Sequence, residues 1–156
     1  MFKNSFSNFA FSLTAVVITY LLCGYFNRIG MQNFYADIQK SALTPPNFVF
    51  PIVWTILYAL MILAFDAVLN IQNKNIKPAV WLFLANLLLQ ILWTFVFFGQ
   101  AEFLLGLIVL MILDLTAAVT ITRFYHLHKT ASYLLAPYLI WLMFATYLNW
   151  IVVILN

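Results

Sequence analysis

Residues 48–69 read FVFPIVWTILYALMILAFDAVL, a run of 22 positions in which Asp66 is the one charged side chain. A helix needs about 20 mostly apolar residues to cross a bilayer, and this run meets that length. It contains no alternation of polar and apolar positions, which excludes a half-buried or barrel strand. Pro51 falls where a first helical turn tolerates it, because the missing N–H would have no partner there. The segment therefore reads as a membrane-spanning helix entered through Pro45, Pro46 and Pro51.

The rest of the chain repeats the pattern. Charges and prolines cut it into five apolar segments, expected as helices at about 6–26, 48–69, 78–98, 103–124 and 132–155. The spacing predicts an all-α integral membrane bundle of five transmembrane helices in a single domain covering residues 1–156. Five spans take roughly 100 residues, which leaves short connections and no separate soluble domain. The composition agrees: 66% of residues are hydrophobic, 19% aromatic and 7% charged, where a soluble domain carries about 25% charge. A water-soluble enzyme is excluded on that ground. A net charge of +3 spread along the chain is no basic stripe, so nucleic acid is excluded as a partner. The lone Cys23 allows no internal disulfide. Leu22 stands where a lipoprotein signal wants a small residue, and the first apolar run is too long for a cleaved leader. It reads as a retained helix.

The connections are unequal. Residues 99–102 form a tight hairpin, and residues 70–77 and 126–131 form short polar turns. Residues 27–47 form the long first loop, which Phe34, Tyr35 and Ile38 supply with groups to pack, as in a partly ordered lid. Lys3, Lys74, Lys77, Arg123 and Lys129 fall on one side of a five-span chain, and Arg28 and Lys40 on the other. The positive-inside bias then predicts a cytoplasmic N-terminus, with the long first loop and the C-terminus outside.

Polar and aromatic residues inside the spans carry the functional reading, because each needs a partner or a task in lipid. Asn86 and Gln90 lie four apart and are followed by Trp93 and Thr94, one stripe of two amides and an indole. That stripe fits either interhelical bonding or a ligand wall. Trp54, Tyr58, Met61 and Phe65 share a face of the second helix, and Pro137, Trp141, Ala145 and Asn149 recur on the fifth. Asp114, beside Thr116 and Thr120, is either a neutral acid bonded to a neighbouring helix or a proton-coupling group. His126 and His128 have no partner at metal-ligand spacing, so no metal site is expected. No nucleophile triad or phosphate loop can be assembled from these residues.

Thr44-Pro45-Pro46, Phe50-Pro51-Ile52-Val53-Trp54-Thr55-Ile56-Leu57-Tyr58, Trp93 to Gly99, and Pro137-Tyr138-Leu139-Ile140-Trp141 continuing to Asn149 occur in that order in a five-span chain. Together they resemble the TspO/MBR family, the tryptophan-rich sensory proteins of bacteria and the mitochondrial translocator protein. The resemblance implies a five-helix bundle, often a homodimer, in a bacterial cell membrane, with a pocket beneath the first loop. It implies protoporphyrin IX or a similar tetrapyrrole as ligand, with no covalently held cofactor. Pro46, Phe50 and Pro51 would lie at the pocket mouth. Trp54, Trp93, Trp141 and Ala145 would face the pocket, and Tyr58, Asn86 and Gln90 are candidate ligand contacts beside them. Acidic groups on the ligand would lie within reach of Arg28 or Lys40.

Some relatives are light-dependent porphyrin degraders. On that alternative Trp54 and Trp141 would be the reactive indoles, and a third reading is a transporter using Asp114. Two departures stand out. Leu43 precedes Thr-Pro-Pro where the family often has Trp, which removes an entrance indole, and Gln90 stands where the family has Asn. The stretch Leu148-Asn149-Trp150 lacks the basic residue of the mitochondrial cholesterol motif, so sterol recognition through it is not expected.

Overall fold

The computed structural model describes residues 5–72 and 75–156. Among them lie five helices long and apolar enough to cross a membrane. They are α1 (Ser5–Asn33), α2 (Val49–Leu69), α3 (Lys77–Thr94), α4 (Phe103–Leu127) and α5 (Lys129–Leu155). A π-helical turn, Phe95–Gly99, extends α3. The all-α membrane architecture expected from the sequence is the one observed. Trp81, Leu88, Leu115 and Ile140 point outward with 67–70% of their surface exposed, which only a lipid surround makes favourable. Lys3 and Lys74, two of the cations used to orient the chain, lie outside the described residues. Lys77, Arg123 and Lys129 sit at one end of the bundle, and Arg28 and Lys40 at the other.

Two boundaries differ from expectation. The first helix does not close at Asn27, Arg28 and Gly30 but runs to Asn33, so the long connection shrinks to residues 34–48. Polar residues end a transmembrane segment without ending a helix, and Gly30 is helical because it packs. A Cβ there would lie 2.7 Å from Phe98 Cδ1 and 2.9 Å from the Phe98 carbonyl oxygen. The turn expected at residues 126–131 is reduced to His128, whose Nδ1 accepts the Ala131 N–H at 3.2 Å and so caps α5.

Contacts between elements order the helices in a ring, α1–α2–α5–α4–α3 and back to α1, with α4 and α5 the most extensive pair. The end bearing the start of α1 is solid. Phe65 and Phe83 stack with centroids 4.1 Å apart, and Phe124 continues the stack at 5.9 Å. Met61, Leu110, Leu113, Leu135 and Leu142 complete this core with no surface exposed to speak of. Side-chain hydrogen bonds sew α1 to α2 along it: Ser12 donates to the Ile62 carbonyl at 2.8 Å, and Asn8 to the Leu69 carbonyl at 3.2 Å.

The opposite end, nearest residues 34–48, is hollow. That loop covers it and is tied down in three places. Tyr35 packs on Phe98, Ser41 meets the Tyr147 hydroxyl at 3.3 Å, and the Asn156 side chain bonds both the N–H and the carbonyl of Gln39 at 3.0 Å.

The close approach at Gly30 gives a test. Gly30→Ala gains helix propensity of roughly 1 kcal/mol but must displace backbone as well as a ring. A net loss of about 1–3 kcal/mol is expected from overpacking, read as a lower thermal midpoint in detergent. An unchanged or raised midpoint would contradict the packing.

Candidate functional site

Within the hollow end lies a cavity of about 360 Å³, inside the range of small-molecule sites. Four elements and the loop wall it, and α4 contributes nothing. The face of α2 that begins at Pro51 brings Phe50, Pro51, Trp54 and Tyr58 to the wall, because spacings of three and four stack side chains on one side of a helix. From α3 come Gln90, Trp93 and Thr94, and the wider π turn lets the consecutive Phe97 and Phe98 follow them. Trp141, Ala145 and Asn149 enter from α5.

The aromatic groups are arranged edge to face or tilted. Trp54 lies 5.6 Å from Tyr58, Phe50 5.9 Å from Trp141, and Trp93 6.1 Å from Phe98. Tyr20 of α1 closes on Tyr58 edge-on at 5.4 Å.

The polar groups are held by one another. Gln90 Nε2 donates to the Tyr58 hydroxyl at 2.6 Å, and the Tyr138 hydroxyl donates to Gln90 Oε1 at 3.5 Å. Trp93 Nε1 donates to Asn149 Oδ1 at 3.3 Å, and Asn149 Nδ2 donates to the Phe103 carbonyl at 3.0 Å. Gly106 of α4 makes this second pair possible, since a Cβ there would lie 3.3 Å from Asn149 Oδ1. Because Gln90 and Asn149 are already engaged, the deep wall presents oriented aromatic faces, and the other amides of the lining, Asn27 and Asn47, lie toward the mouth. At the mouth, the Lys40 ammonium donates to the Tyr35 carbonyl and sits over its ring at 4.7 Å. Burial pushes the Tyr35 phenol above its ordinary value, so it stays neutral. Arg28, exposed on α1, has no hydrogen-bond or ion-pair partner among the described residues.

The structure therefore gathers Phe50, Pro51, Trp54, Tyr58, Gln90, Trp93, Trp141 and Ala145 around one space. Two candidates stand apart. Pro46 is exposed and not part of the wall, although its neighbours Thr44 and Asn47 are. Asn86 shares the stripe of Gln90 but lies one turn deeper, in the solid half. There its Nδ2 donates to Thr120 Oγ1 of α4 at 2.7 Å and to the Leu82 carbonyl at 2.9 Å. It bonds helices together and does not line the cavity. Asp114 is also outside: its Oδ2 accepts from Thr146 Oγ1 at 2.7 Å, across the α4–α5 contact. Trp81 and Trp150 face outward.

Sequence reasoning missed the contribution of α1. Tyr20, Gly24, Asn27 and Met31 line the cavity at spacings of four, three and four, with Cys23 beside them. The spacing itself is readable in the sequence, but Tyr20 is the one ring in it, so no aromatic stripe marks this face. Among the described residues no cluster of His, Cys, Asp or Glu is placed to hold a metal.

Residues 10–155 match the TspO/MBR family. The chain belongs to that family. It is 35% identical over 145 residues to the tryptophan-rich protein TspO of Archaeoglobus fulgidus, covering 93% of this chain and 94% of the relative. It is 38% identical over 125 residues to a tryptophan-rich sensory protein of Cereibacter sphaeroides, covering 80% and 78%. The human translocator protein is 33% identical over 124 residues, covering 77% and 73%. This TspO/MBR member is an integral membrane protein, and the family's name for tryptophan suits the three indoles that meet at its cavity.

The Gln90 bridge tests the wall. Gln90→Leu keeps the volume but leaves the buried Tyr58 and Tyr138 hydroxyls without their amide. A loss of about 1–2 kcal/mol is expected, the upper end for bonds between membrane helices. Thermal unfolding in detergent reads it, and an unchanged midpoint would mean the bridge contributes nothing.

Proposed function

We propose that this protein binds a porphyrin-type ligand, or a related flat hydrophobic molecule, within the membrane and acts as its sensor or carrier. The observation that carries this reading is the convergence of Trp54, Trp93 and Trp141 on one cavity that has a cation at its mouth. A flat apolar macrocycle is held best by aromatic faces in offset or edge-on contact. Its acidic substituents need charge-assisted partners near water, and Arg28 and Lys40 lie at that end of the cavity wall. The apolar wall and the few fixed polar groups are those of a small-molecule site. The names of relatives, a sensory protein in one case and a translocator in another, agree with a binding role. With Arg28 and Lys40 outside, the cavity mouth opens away from the cytoplasm of a bacterial cell membrane, in keeping with the positive-inside bias. A homodimer fits the family pattern.

Trp54 and Trp141 both border the cavity, which favours one further reading, the light-dependent breakdown of the bound porphyrin. Loss of protoporphyrin fluorescence under illumination in the wild type, but not in Trp54→Phe or Trp141→Phe, would support it. Equal loss in all three would remove it. Asp114 faces Thr146 rather than the cavity, and nothing in the site calls for it as a coupling acid.

Titration of the purified protein with protoporphyrin IX tests binding directly, through quenching of tryptophan emission. Trp54→Ala or Trp141→Ala should each weaken binding roughly tenfold, about 1.4 kcal/mol for the loss of one aromatic face. Arg28→Ala should weaken it less and make the residual affinity less sensitive to salt, Lys40 remaining at the mouth. Binding no tighter than to empty detergent micelles would overturn the reading.

A further inference from the structure

The residues that border the cavity are not equally covered. On α3 and α5 every one of them is buried or half-buried. The exposed ones are Tyr20, Gly24 and Arg28 on α1, and Asn47 and Pro51 at the entry to α2. The cavity is thus sealed on the α3 and α5 sides and uncovered along the seam between α1 and α2. That seam is closed lower down, where Ser12 and Asn8 bond α2 and Tyr20 meets Tyr58. Cys23 of α1 also bonds Tyr58 of α2 on the cavity side, and from Gly24 upward no side-chain hydrogen bond joins the two helices among the described residues. From Tyr20 to Arg28 the opening is about 12 Å tall at the helical rise of 1.5 Å per residue. Its middle is Gly24, where an added Cβ would meet no atom within 4 Å.

From above, the same cavity is roofed by residues 34–48, which are tied to α5 and to the π turn. A hydrophobic ligand dissolved in the bilayer meets no such cover at the seam. We infer that the gap between α1 and α2, with Gly24 as its threshold, is a lateral portal through which an anionic amphiphile enters from the lipid. The chemistry of the frame fits that class. The lower edge is aromatic, Tyr20 with Tyr58 behind it, and accepts a hydrocarbon or macrocyclic body. At the upper edge stands Arg28, exposed and unpaired among the described residues, where a carboxylate would ride at the membrane surface. Such a ligand would slide in sideways with its charge kept at the interface, so no charge is carried through lipid.

The portal serves the binding site proposed above, yet it can be tested without any porphyrin. Cys23 is the chain's one cysteine, lines the cavity and is buried, so its labelling reports access to the interior. The protein is placed in lipid nanodiscs and treated with a pyrene maleimide that partitions into lipid, or with a sulfonated maleimide that does not. The lipid-borne reagent should label Cys23 at least tenfold faster. Gly24→Phe should cut that rate about tenfold and leave the slow rate of the sulfonated reagent unchanged. Leu21→Phe, on the exposed lipid side of α1, should alter neither rate. Denaturation in dodecyl sulfate should give full labelling of every variant.

Equal or faster labelling by the sulfonated reagent would mean access through the loop, and would overturn the portal. So would no labelling by either reagent in the folded protein. A parallel fall in both rates in Gly24→Phe would mark a local effect on the neighbouring thiol, and overturns it as well. Should Gly24→Phe lose its helical circular dichroism, Gly24→Leu takes its place, and the wild-type ratio of rates still decides. Failure of porphyrin to bind, with labelling as expected, would remove the ligand and keep the portal.

Discussion

Lipid supplies no hydrogen bonds, and that one constraint shapes everything else in this chain. Each backbone N–H and carbonyl must be satisfied within its own helix, so the chain is helical almost from end to end. Polar side chains face the same demand, and most answer it in their own helix or across to a neighbour, while one oxygen each of Asn8, Asn86 and Asp114 is buried without a partner. Thr19, Thr55, Thr116 and Thr122 return their hydroxyls to a carbonyl four residues earlier. Ser12, Asn86, Gln90 and Asn149 reach other helices instead. The hydrophobic effect does not press helices together in a bilayer. The ring closes through these few bonds and through close packing at small residues such as Gly30 and Gly106.

The same constraint divides the bundle into two halves. Where aromatic rings stack and aliphatic side chains fill the gaps, the helices form a solid block. Where the cavity lies, Gln90 is engaged by two tyrosines and Asn149 by a tryptophan and a backbone carbonyl, and the deep surface is largely aromatic. The site is therefore made of groups that need no water, yet it retains oriented dipoles behind its walls. Its polar selectivity is left to the two cations at the rim.

Much of this was legible in the sequence, for a physical reason. Twenty-residue apolar runs have one use, and aromatic stripes at spacings of three and four fix a face before any fold is known. Such stripes put Trp54, Trp93 and Trp141 each on a face, and the family resemblance implied that the three faces share a pocket. What was illegible depended on partners from other elements. Asn86 and Gln90 are equivalent on a helical wheel, and only the neighbour each meets, Thr120 of α4 or Tyr58 of α2, separates glue from wall. Asn27 and Arg28 look like a helix end, and only the fit of Gly30 against Phe98 carries the helix past them. The face of α1 that lines the cavity runs across that boundary, from Tyr20 to Met31. Pro46 failed differently: adjacency to Thr44 and Asn47 along an irregular segment says nothing about which way a ring points.

The stacked block of Phe65, Phe83 and Phe124 has a consequence for how such a protein can change. Ring-on-ring contact at 4.1 Å tolerates little substitution, whereas a wall facing empty space has no neighbour to offend. The block serves folding alone, whereas the hollow half combines helix contacts with the cavity. Cavity-facing positions that make no hydrogen bond are freer to vary than the rings of the block. The block anchors the fold, and the hollow is where new ligands can be acquired.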